Sequence, residues 1–114
     1  VHKITCVADC GQVFNSHIAK QQLEGAILYG LTAALKGEIN VQMGQIVQSN
    51  FDDYPMLKLK DTPEINVHLM ENHEAPGGLG EAGTPLIGPA VANAVFAATG
   101  KRVRRLPIRR KDLI

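Results

Sequence analysis

The feature that most constrains the fold is a run of apolar residues at helical spacing near the start of the chain. Asn15 and Ser16, either of which can cap a helix N-terminus, precede the run, and Gly37 follows it. The pattern therefore predicts one helix between residue 15 or 16 and Gly37. Its apolar positions are Ile18, Leu23, Ile27, Leu31, Ala34 and Leu35.

Two glycines lie inside this predicted helix. Gly25 and Gly30 each cost about 1 kcal/mol relative to alanine at an interior helix position. A cost of this kind is usual where another group packs very close to the helix backbone. We therefore expect a neighbouring sheet or a ligand against this helix.

Three further segments alternate between apolar and polar residues in the way that strands do. Lys3–Asp9 and Glu64–Met70 each predict a strand, and the segment 39–47, with a turn at Gly44, predicts a hairpin. A second helix is predicted from Pro89, which suits a first turn, to Gly100. Its apolar stripe is Ala90, Val91, Ala94, Val95 and Ala98.

Together these elements predict an α+β fold. We expect a mostly antiparallel sheet of about four strands with two helices packed on it. A chain of 114 residues with 45% apolar content is long enough for a single domain over residues 1–114. No apolar run reaches the roughly 18 residues that a membrane span needs. Because the chain begins with Val1, which is not a natural initiator, we expect it to be a piece of a longer protein.

The cysteines and histidines predict no metal site. Cys6 and Cys10 lie four residues apart, and no second pair at ligand spacing accompanies them, so we interpret them as small buried apolar residues on one strand face. His17, His68 and His73 show no pairing of nucleophile and base, and we interpret them as surface or structural residues.

The segment PGGLGEAGTP, residues 76–85, holds four glycines and one carboxylate, that of Glu81. Gly78, Gly80 and Gly83 satisfy the glycine spacing of dinucleotide-binding folds, but the strand–helix–strand context of that motif does not follow. Glycine permits positive φ angles and a close approach of the backbone to another group. A glutamate presented by such a loop can be partly desolvated and suits a general base. An ordinary solvated loop acid is the alternative interpretation.

Three segments resemble one enzyme family. The segments are DCGQVFNSHIAKQQLEGAILYGL, QSNFDDYPML and PGGLGEAGTPLIGPAVANAVFAATGKRVRRLPI. They are similar to the carboxy-terminal part of the molybdenum hydroxylases, the xanthine dehydrogenase and aldehyde oxidase family. The resemblance is strongest to large subunits of the isoquinoline 1-oxidoreductase type, which are also labelled aldehyde dehydrogenases, and it covers the chain from Val1 to Ile108.

The resemblance implies roles for four residues. Glu81, in GLGEAG, occupies the position of the family's active-site base, and Gln22, in QQLEG, matches the glutamine that contacts the pterin. Gly78 and Gly80 would let the loop backbone lie against the cofactor. No residue of the chain is expected to bind a metal directly.

The resemblance also implies a reaction, cofactors and partners. The full enzyme would hydroxylate an N-heteroaromatic compound or oxidise an aldehyde, using molybdenum on molybdopterin in its cytosine dinucleotide form. The expected partners are the remaining molybdopterin-binding domains of the same subunit and an iron–sulfur subunit with [2Fe-2S] clusters, and relatives suggest the periplasm or cell envelope. Because the chain lacks the family's earlier glycine-rich segments, we expect it to bind no cofactor and to be inactive alone.

A basic segment supports an alternative class of function. Seven of the 12 Lys and Arg residues fall between Lys101 and Lys111, and we interpret this basic segment as a solvated tail or a contact to another protein segment. The alternative is a small module that binds protein or nucleic acid through a sheet edge and this segment. No aromatic residue falls within this segment for base stacking, so we expect no nucleic-acid partner.

Overall fold

The structure, a computed structural model, describes residues 1–113. It contains two helices and four strands, together with short 3₁₀ turns at Leu59–Asp61 and Arg110–Leu113. The elements in chain order are β1 (Lys3–Ala8), α1 (Ser16–Leu35), β2 (Val41–Gln42), β3 (Gln45–Ile46), β4 (Glu64–Leu69) and α2 (Thr84–Thr99).

Helix α1 confirms the prediction made from its apolar spacing. The side chain of Asn15 caps its N-terminus by accepting a hydrogen bond from the N–H of Ile18 at 3.0 Å. At the other end the N–H groups of Lys36 and Gly37 both donate to the carbonyl of Thr32 at 2.8 Å. The largest fully buried side chains of the helix form one stripe at four-residue spacing: Leu23, Ile27 and Leu31.

The prediction of a mostly antiparallel sheet of about four strands is wrong. β1 and β4 pair in parallel, in a register that runs from Lys3 opposite Glu64 to Ala8 opposite Leu69. Parallel strands need a crossover of about a dozen residues or more, and α1 lies between these two strands in the chain and supplies that crossover. β2 and β3 pair only with each other, in an antiparallel hairpin of two residues a strand.

Helix α2 begins earlier than its sequence pattern predicts. It starts at Thr84, with Pro85 in the first turn, and Pro89 lies inside the helix. Its end is as predicted, because Gly100 adopts the left-handed conformation, at a φ of 72°, and its N–H donates to the carbonyl of Phe96.

The earlier start changes the buried face of α2. Ile87 and Val91 are buried against α1, and Val95 is half-buried one turn later. Helix α1 packs in turn against β4, so α2 rests mainly on the other helix and not on a sheet. The alanines of the predicted stripe lie on the opposite face and are exposed: Ala90, Ala94 and Ala98.

One apolar cluster joins the helices to the parallel strands. Cys6 contributes to it from β1 and is half-buried, as the alternation predicts. Cys10 is also buried, but β1 ends at Ala8, so Cys10 lies in the following loop and not on the strand face. Fully burying an aliphatic side chain stabilises the fold by roughly 1.5–3 kcal/mol. The buried members of the cluster are Ile27, Leu31, Ile87, Val91 and Ile108.

Part of the basic segment packs back onto the helices. Ile108 is buried, and its N–H donates to a carbonyl near the C-terminal end of α1 at 2.8 Å. Arg109 forms an ion pair with Glu38, and the guanidinium of Arg102 lies 3.7 Å from the ring centre of Phe96. The interpretation as a fully solvated tail is therefore wrong at these positions, and the interpretation as a contact to another segment of the protein is confirmed there. Within residues 1–113, no helix is long and apolar enough to cross a membrane.

Candidate functional site

The glycine loop, residues 76–83, connects β4 to α2 and is fastened along its length. At its start the N–H of Gly77 donates to the carbonyl of Cys10 at 2.8 Å. In its middle the side-chain amide of Gln22 donates to the carbonyl of Gly80 at 2.9 Å. Directly after it the hydroxyl of Thr84 donates to a carbonyl in the middle of α1 at 3.1 Å. Three attachments over eight residues fix the path of the loop across α1.

One face of α1 receives the loop, because Gln22, Ala26 and Gly30 lie four residues apart. A Cβ atom on Gly30 would lie 2.5 Å from the carbonyl oxygen of Thr84, which is too close for any side chain. Close packing is therefore found at Gly30, but the neighbour is the first residue of α2 and not a sheet or a ligand. At Gly25 a Cβ would meet no atom of residues 1–113 within 4 Å.

The last glycine of the loop also packs closely on α1. A Cβ on Gly83 would lie 3.1 Å from the Cβ of Ala26 and 3.2 Å from the side chain and backbone of Ile27. The glycines of the loop do not use the positive φ angles that the sequence suggested for them. Among the described residues, the glycines with positive φ are Gly11, Gly44 and Gly100.

Glu81 follows Gly80 directly and is exposed. Its backbone carbonyl accepts a hydrogen bond from the N–H of Thr84 at 2.9 Å, so the turn into α2 orients the residue. Residues 1–113 leave the carboxylate of Glu81 exposed to water, so they do not provide the desolvation that the sequence predicts for it.

The structure does bring three of the four predicted site residues together, since Gln22 contacts Gly80, the residue that precedes Glu81. Gly78, the fourth, lies in the same loop, and a Cβ on it would meet no atom within 4 Å.

An open groove of about 470 Å³ runs between the start of α1 and the glycine loop. Phe14 and Ile18 line it and are 82% and 62% exposed, so the groove has an apolar wall. Gln22, Gly77 and Gly80 line it as well and supply amide groups and bare backbone. This combination fits a flat heteroaromatic group that has polar edges, such as a pterin.

A second hollow of about 620 Å³ adjoins the groove at the start of α1. Lys20, His68 and His73 are among its lining residues, and both of these histidines are exposed, as is His17. No group of three or more His, Cys, Asp or Glu residues within 1–113 is placed to hold a metal ion.

Sequence reasoning indicates Gln22 but misses the other two attachments of the loop. It gives Thr84 no role, although Pro85 directly after it is a helix-start signal that places the first turn of α2 there. No sequence signal indicates the carbonyl of Cys10, because a backbone acceptor is available at every residue.

Comparisons with known proteins give a consistent result. The family described as "Molybdopterin cofactor-binding domain" matches residues 1–63. The chain is 42% identical over 109 residues to isoquinoline 1-oxidoreductase subunit beta of Brevundimonas diminuta, and the match covers 96% of this chain. It is 40% identical over 112 residues, 98% of its length, to the membrane-bound aldehyde dehydrogenase [pyrroloquinoline-quinone] of Gluconacetobacter polyoxogenes.

A solved structure supports the same relationship. Quinoline 2-oxidoreductase from Pseudomonas putida 86 superposes with a TM-score of 0.79 at 27% sequence identity over 90% of this chain. The chain spans only 14% of the length of each of these three proteins. None of the three is named as a small protein- or nucleic-acid-binding module, so the alternative class has no support from them. The resemblance to the molybdenum hydroxylases is confirmed, and the chain belongs to the molybdopterin cofactor-binding domain family.

Proposed function

We propose that this chain is the C-terminal part of the molybdopterin-binding subunit of a molybdenum-dependent oxidoreductase. In this proposal Glu81 is the general base of the reaction, and Gln22, Gly78 and Gly80 contact the cofactor. The substrate is an N-heteroaromatic compound, which is hydroxylated, or an aldehyde, which is oxidised. The names of the relatives support both classes, since they include an isoquinoline and a quinoline oxidoreductase and an aldehyde dehydrogenase.

The observation that carries the proposal is the 2.9 Å hydrogen bond from the Gln22 amide to the Gly80 carbonyl. These two residues lie 58 positions apart in the sequence, and the family resemblance implies a cofactor contact for each of them. The bond joins the proposed cofactor contact to the residue next to the proposed base. Gln22 and Glu81 on separate faces of the chain would have spoken against a shared site, so this contact supports the proposal.

The cofactor fits the residues that surround the groove. The apolar walls of Phe14 and Ile18 suit the faces of a flat ring system, and the amide of Gln22 suits its polar edge. Gly80 lines the groove and carries no side chain, so a ring can lie directly against the loop backbone there. Gly78 lies outside the groove lining, and its proposed contact rests on the family resemblance. The fuller set of cofactor contacts belongs to the remaining molybdopterin-binding domains of the subunit.

The roles of the chain's own residues follow from this arrangement. When bound, the molybdenum cofactor supplies the two-electron redox chemistry. The carboxylate of Glu81 accepts a proton from the reacting group, a contribution of about 10²- to 10⁴-fold in rate for a well-placed base. Gln22 and the turn at Thr84 fix the backbone on either side of Glu81. The rest of the enzyme must cover Glu81 and exclude water from it, because residues 1–113 leave it exposed.

The proposal extends to the cofactor form and the partner. We propose the cytosine dinucleotide form of molybdopterin and an iron–sulfur subunit with [2Fe-2S] clusters that receives the electrons. The chain alone should bind no molybdenum and show no turnover, because it spans only 14% of the length of its relative, the isoquinoline 1-oxidoreductase subunit. Metal analysis of the purified chain tests this expectation, and stoichiometric molybdenum would contradict it.

The role of Glu81 is tested by Glu81→Gln in the enzyme that contains this chain. We expect turnover to fall by about 10²- to 10⁴-fold or more, because the amide cannot accept the proton, while the molybdenum content stays unchanged. The assay uses isoquinoline, quinoline and an aldehyde as substrates, with molybdenum measured in the same samples.

Glu74→Gln is the matched control, since Glu74 is an exposed glutamate shortly before the glycine loop. Its turnover should match that of the wild-type enzyme. Near-normal turnover of Glu81→Gln would show that Glu81 is not the general base. An equal loss of turnover in both variants would show that the negative charge near the loop matters, and not a base at residue 81.

A further inference from the structure

Thr84 occupies an unusual position for a threonine at the start of a helix. Such a residue commonly caps the helix by accepting a hydrogen bond from a backbone N–H of the first turn. In α2 the cap position is taken by Gly83, and no side chain caps the helix. The hydroxyl of Thr84 donates instead to the carbonyl of Ala26 in α1 at 3.1 Å. Its hydrogen bond is therefore tertiary and ties the start of α2 to α1.

The backbone of Thr84 contacts both the turn that carries Glu81 and the helix α1. Its N–H donates to the carbonyl of Glu81 at 2.9 Å. Its own carbonyl oxygen lies over Gly30, only 2.5 Å from the place where a Cβ of that residue would be. Thr84 thus joins three points, namely the turn that carries Glu81, the carbonyl of Ala26 and the bare backbone at Gly30.

Gly83, the residue directly before Thr84, brings this turn into close contact with α1. Gly83 packs so tightly on α1 that its Cβ would lie 3.1 Å from the Cβ of Ala26. If Thr84 lost its hydroxyl bond, the turn could lift from α1 and carry the Glu81 carbonyl with it. A shift of about 1 Å at a catalytic group can cost about 100-fold in rate.

We propose that Thr84 is a positioning residue for Glu81: its hydroxyl bond to α1 sets the place from which the carboxylate reaches the reacting group. The proposal rests on the role of Glu81 proposed above. Thr84 touches neither substrate nor cofactor in this account and acts only through the turn 81–84.

The test compares Thr84→Val with Thr84→Ser in the enzyme that contains this chain. Valine keeps the shape of the side chain and removes the hydroxyl, whereas serine keeps the hydroxyl. We expect Thr84→Val to lower kcat per bound molybdenum by about 10- to 100-fold, with KM within about threefold of the wild-type value. Thr84→Ser should stay within about threefold in kcat. Expressing kcat per bound molybdenum keeps the comparison valid for a variant that loads cofactor poorly.

A second readout does not depend on activity. Hydrogen exchange at the backbone amide of residue 84, which donates to the carbonyl of Glu81, should be faster in Thr84→Val than in wild type, because the turn is no longer tied to α1. Thr99→Val is the matched control, since Thr99 lies in the same helix and its hydroxyl donates within the helix to the carbonyl of Val95. It should change neither kcat nor exchange at residue 84.

A double variant separates this inference from the proposed function. If Thr84 acts only through Glu81, adding Thr84→Val to Glu81→Gln should lower turnover no further. Normal turnover of Glu81→Gln would overturn the proposed function itself. A strong loss in Glu81→Gln, combined with wild-type kcat and exchange in Thr84→Val, would overturn only the positioning role. Equal losses in Thr84→Val and Thr84→Ser would overturn it as well, because the hydroxyl would then not be the group that matters.

Discussion

Two regions of the molecule are held together in opposite ways. One is the contact between the glycine loop and α1, and the other is the β2–β3 hairpin. The loop contact joins residues 58 positions apart through two side-chain hydrogen bonds, and it has no room for a Cβ at Gly30 and little room for one at Gly83. The hairpin arm, residues 39–51, is held by local hydrogen bonds and contains no charged residue. Its side chains are nearly all exposed, with Met43 at 101% and Phe51 at 91%.

The difference separates a fixed part of the chain from a projecting part. The radius of gyration is 16.4 Å, whereas a compact domain of this length has roughly 13 Å. The loop contact is rigid where the chain presents Glu81. The hairpin arm adds apolar surface without adding to the core, so changes in the two regions should have different consequences. Substitutions at Gly30 and in the hairpin arm therefore test whether the two regions differ in this way.

The largest effect on stability is expected from Gly30→Ala. The added Cβ would meet the backbone carbonyl of Thr84 at 2.5 Å, so α2 and the glycine loop must shift. Forcing atoms into a well-packed contact costs about 1–3 kcal/mol, which should exceed the helix-propensity gain of about 1 kcal/mol. Urea denaturation of the chain, followed by circular dichroism, should show a lower midpoint.

Gly25→Ala is the matched control in the same helix. A Cβ there meets no atom within 4 Å, so the substitution should stabilise the chain by about 1 kcal/mol. Opposite signs for the two glycines would support the close contact at Gly30. A stabilising effect of both substitutions would show that the loop does not press on α1.

A smaller and local effect is expected from Met43→Asn. Met43 and Gly44, at the hairpin turn, have φ angles of 48° and 79°, the positive values at both positions that a type I′ turn requires. Asparagine tolerates a positive φ better than methionine, so the hairpin should gain about 0.5 kcal/mol. Amide exchange at Val47, whose N–H donates to the carbonyl of Asn40 across the hairpin at 2.9 Å, should slow, while the urea midpoint of the whole chain stays unchanged.

Met56→Asn serves as the control, because Met56 is also exposed but lies outside the hairpin turn. It should leave hairpin exchange unaltered. A change in the global midpoint in Met43→Asn would contradict the description of the hairpin as an arm independent of the core.

The smallest effect is expected at the base of the hairpin arm. The carboxylate of Asp53 accepts hydrogen bonds from the N–H of Ser49 at 2.7 Å, the N–H of Asn50 at 3.0 Å and the Ser49 hydroxyl at 3.0 Å. The bonds from these two N–H groups are the main reason that the pKa of Asp53 lies below its ordinary value of 3.8. A lowered pKa means that the carboxylate stabilises the loop above the ordinary value and that this stabilisation is lost as the pH falls through the lowered pKa.

Amide NMR signals of Ser49 and Asn50 should report this loss. In the wild-type chain they should be constant at neutral pH and move only below pH about 4. Asp53→Asn should abolish the transition, and Asp52→Asn, whose side chain is the neighbouring carboxylate, should retain it. A transition that survives in Asp53→Asn would assign it to another group.

The sequence alone predicts the local elements well. The apolar spacing and the Asn15 cap give α1, the alternation gives β1 and β4, and Gly100 gives the end of α2. Each of these depends on a residue and its near neighbours, which a pattern can capture. The pairing of β1 with β4 depends on residues about 60 positions apart, and their parallel direction follows from the crossover through α1, which alternation does not show.

The candidate site was predicted in its residues but not in its geometry. Family resemblance selected Gln22 and Glu81, while the glycines in α1 indicated only that some group lies close. Which glycine is covered depends on where the loop crosses the helix, so Gly25 and Gly30 cannot be told apart from sequence. The tertiary hydrogen bond of Thr84 cannot be predicted from the sequence either, because its acceptor is a backbone carbonyl, which every residue has.

The measurement that tests the central claim most directly is a structure of the intact enzyme with its cofactor bound. We expect the Glu81 carboxylate to lie within hydrogen-bond reach of the reacting group at the molybdenum centre, about 2.6–3.2 Å or through one water, with the Gln22–Gly80 bond retained. A Glu81 side chain that points into bulk water, remote from the molybdenum centre, would contradict the account.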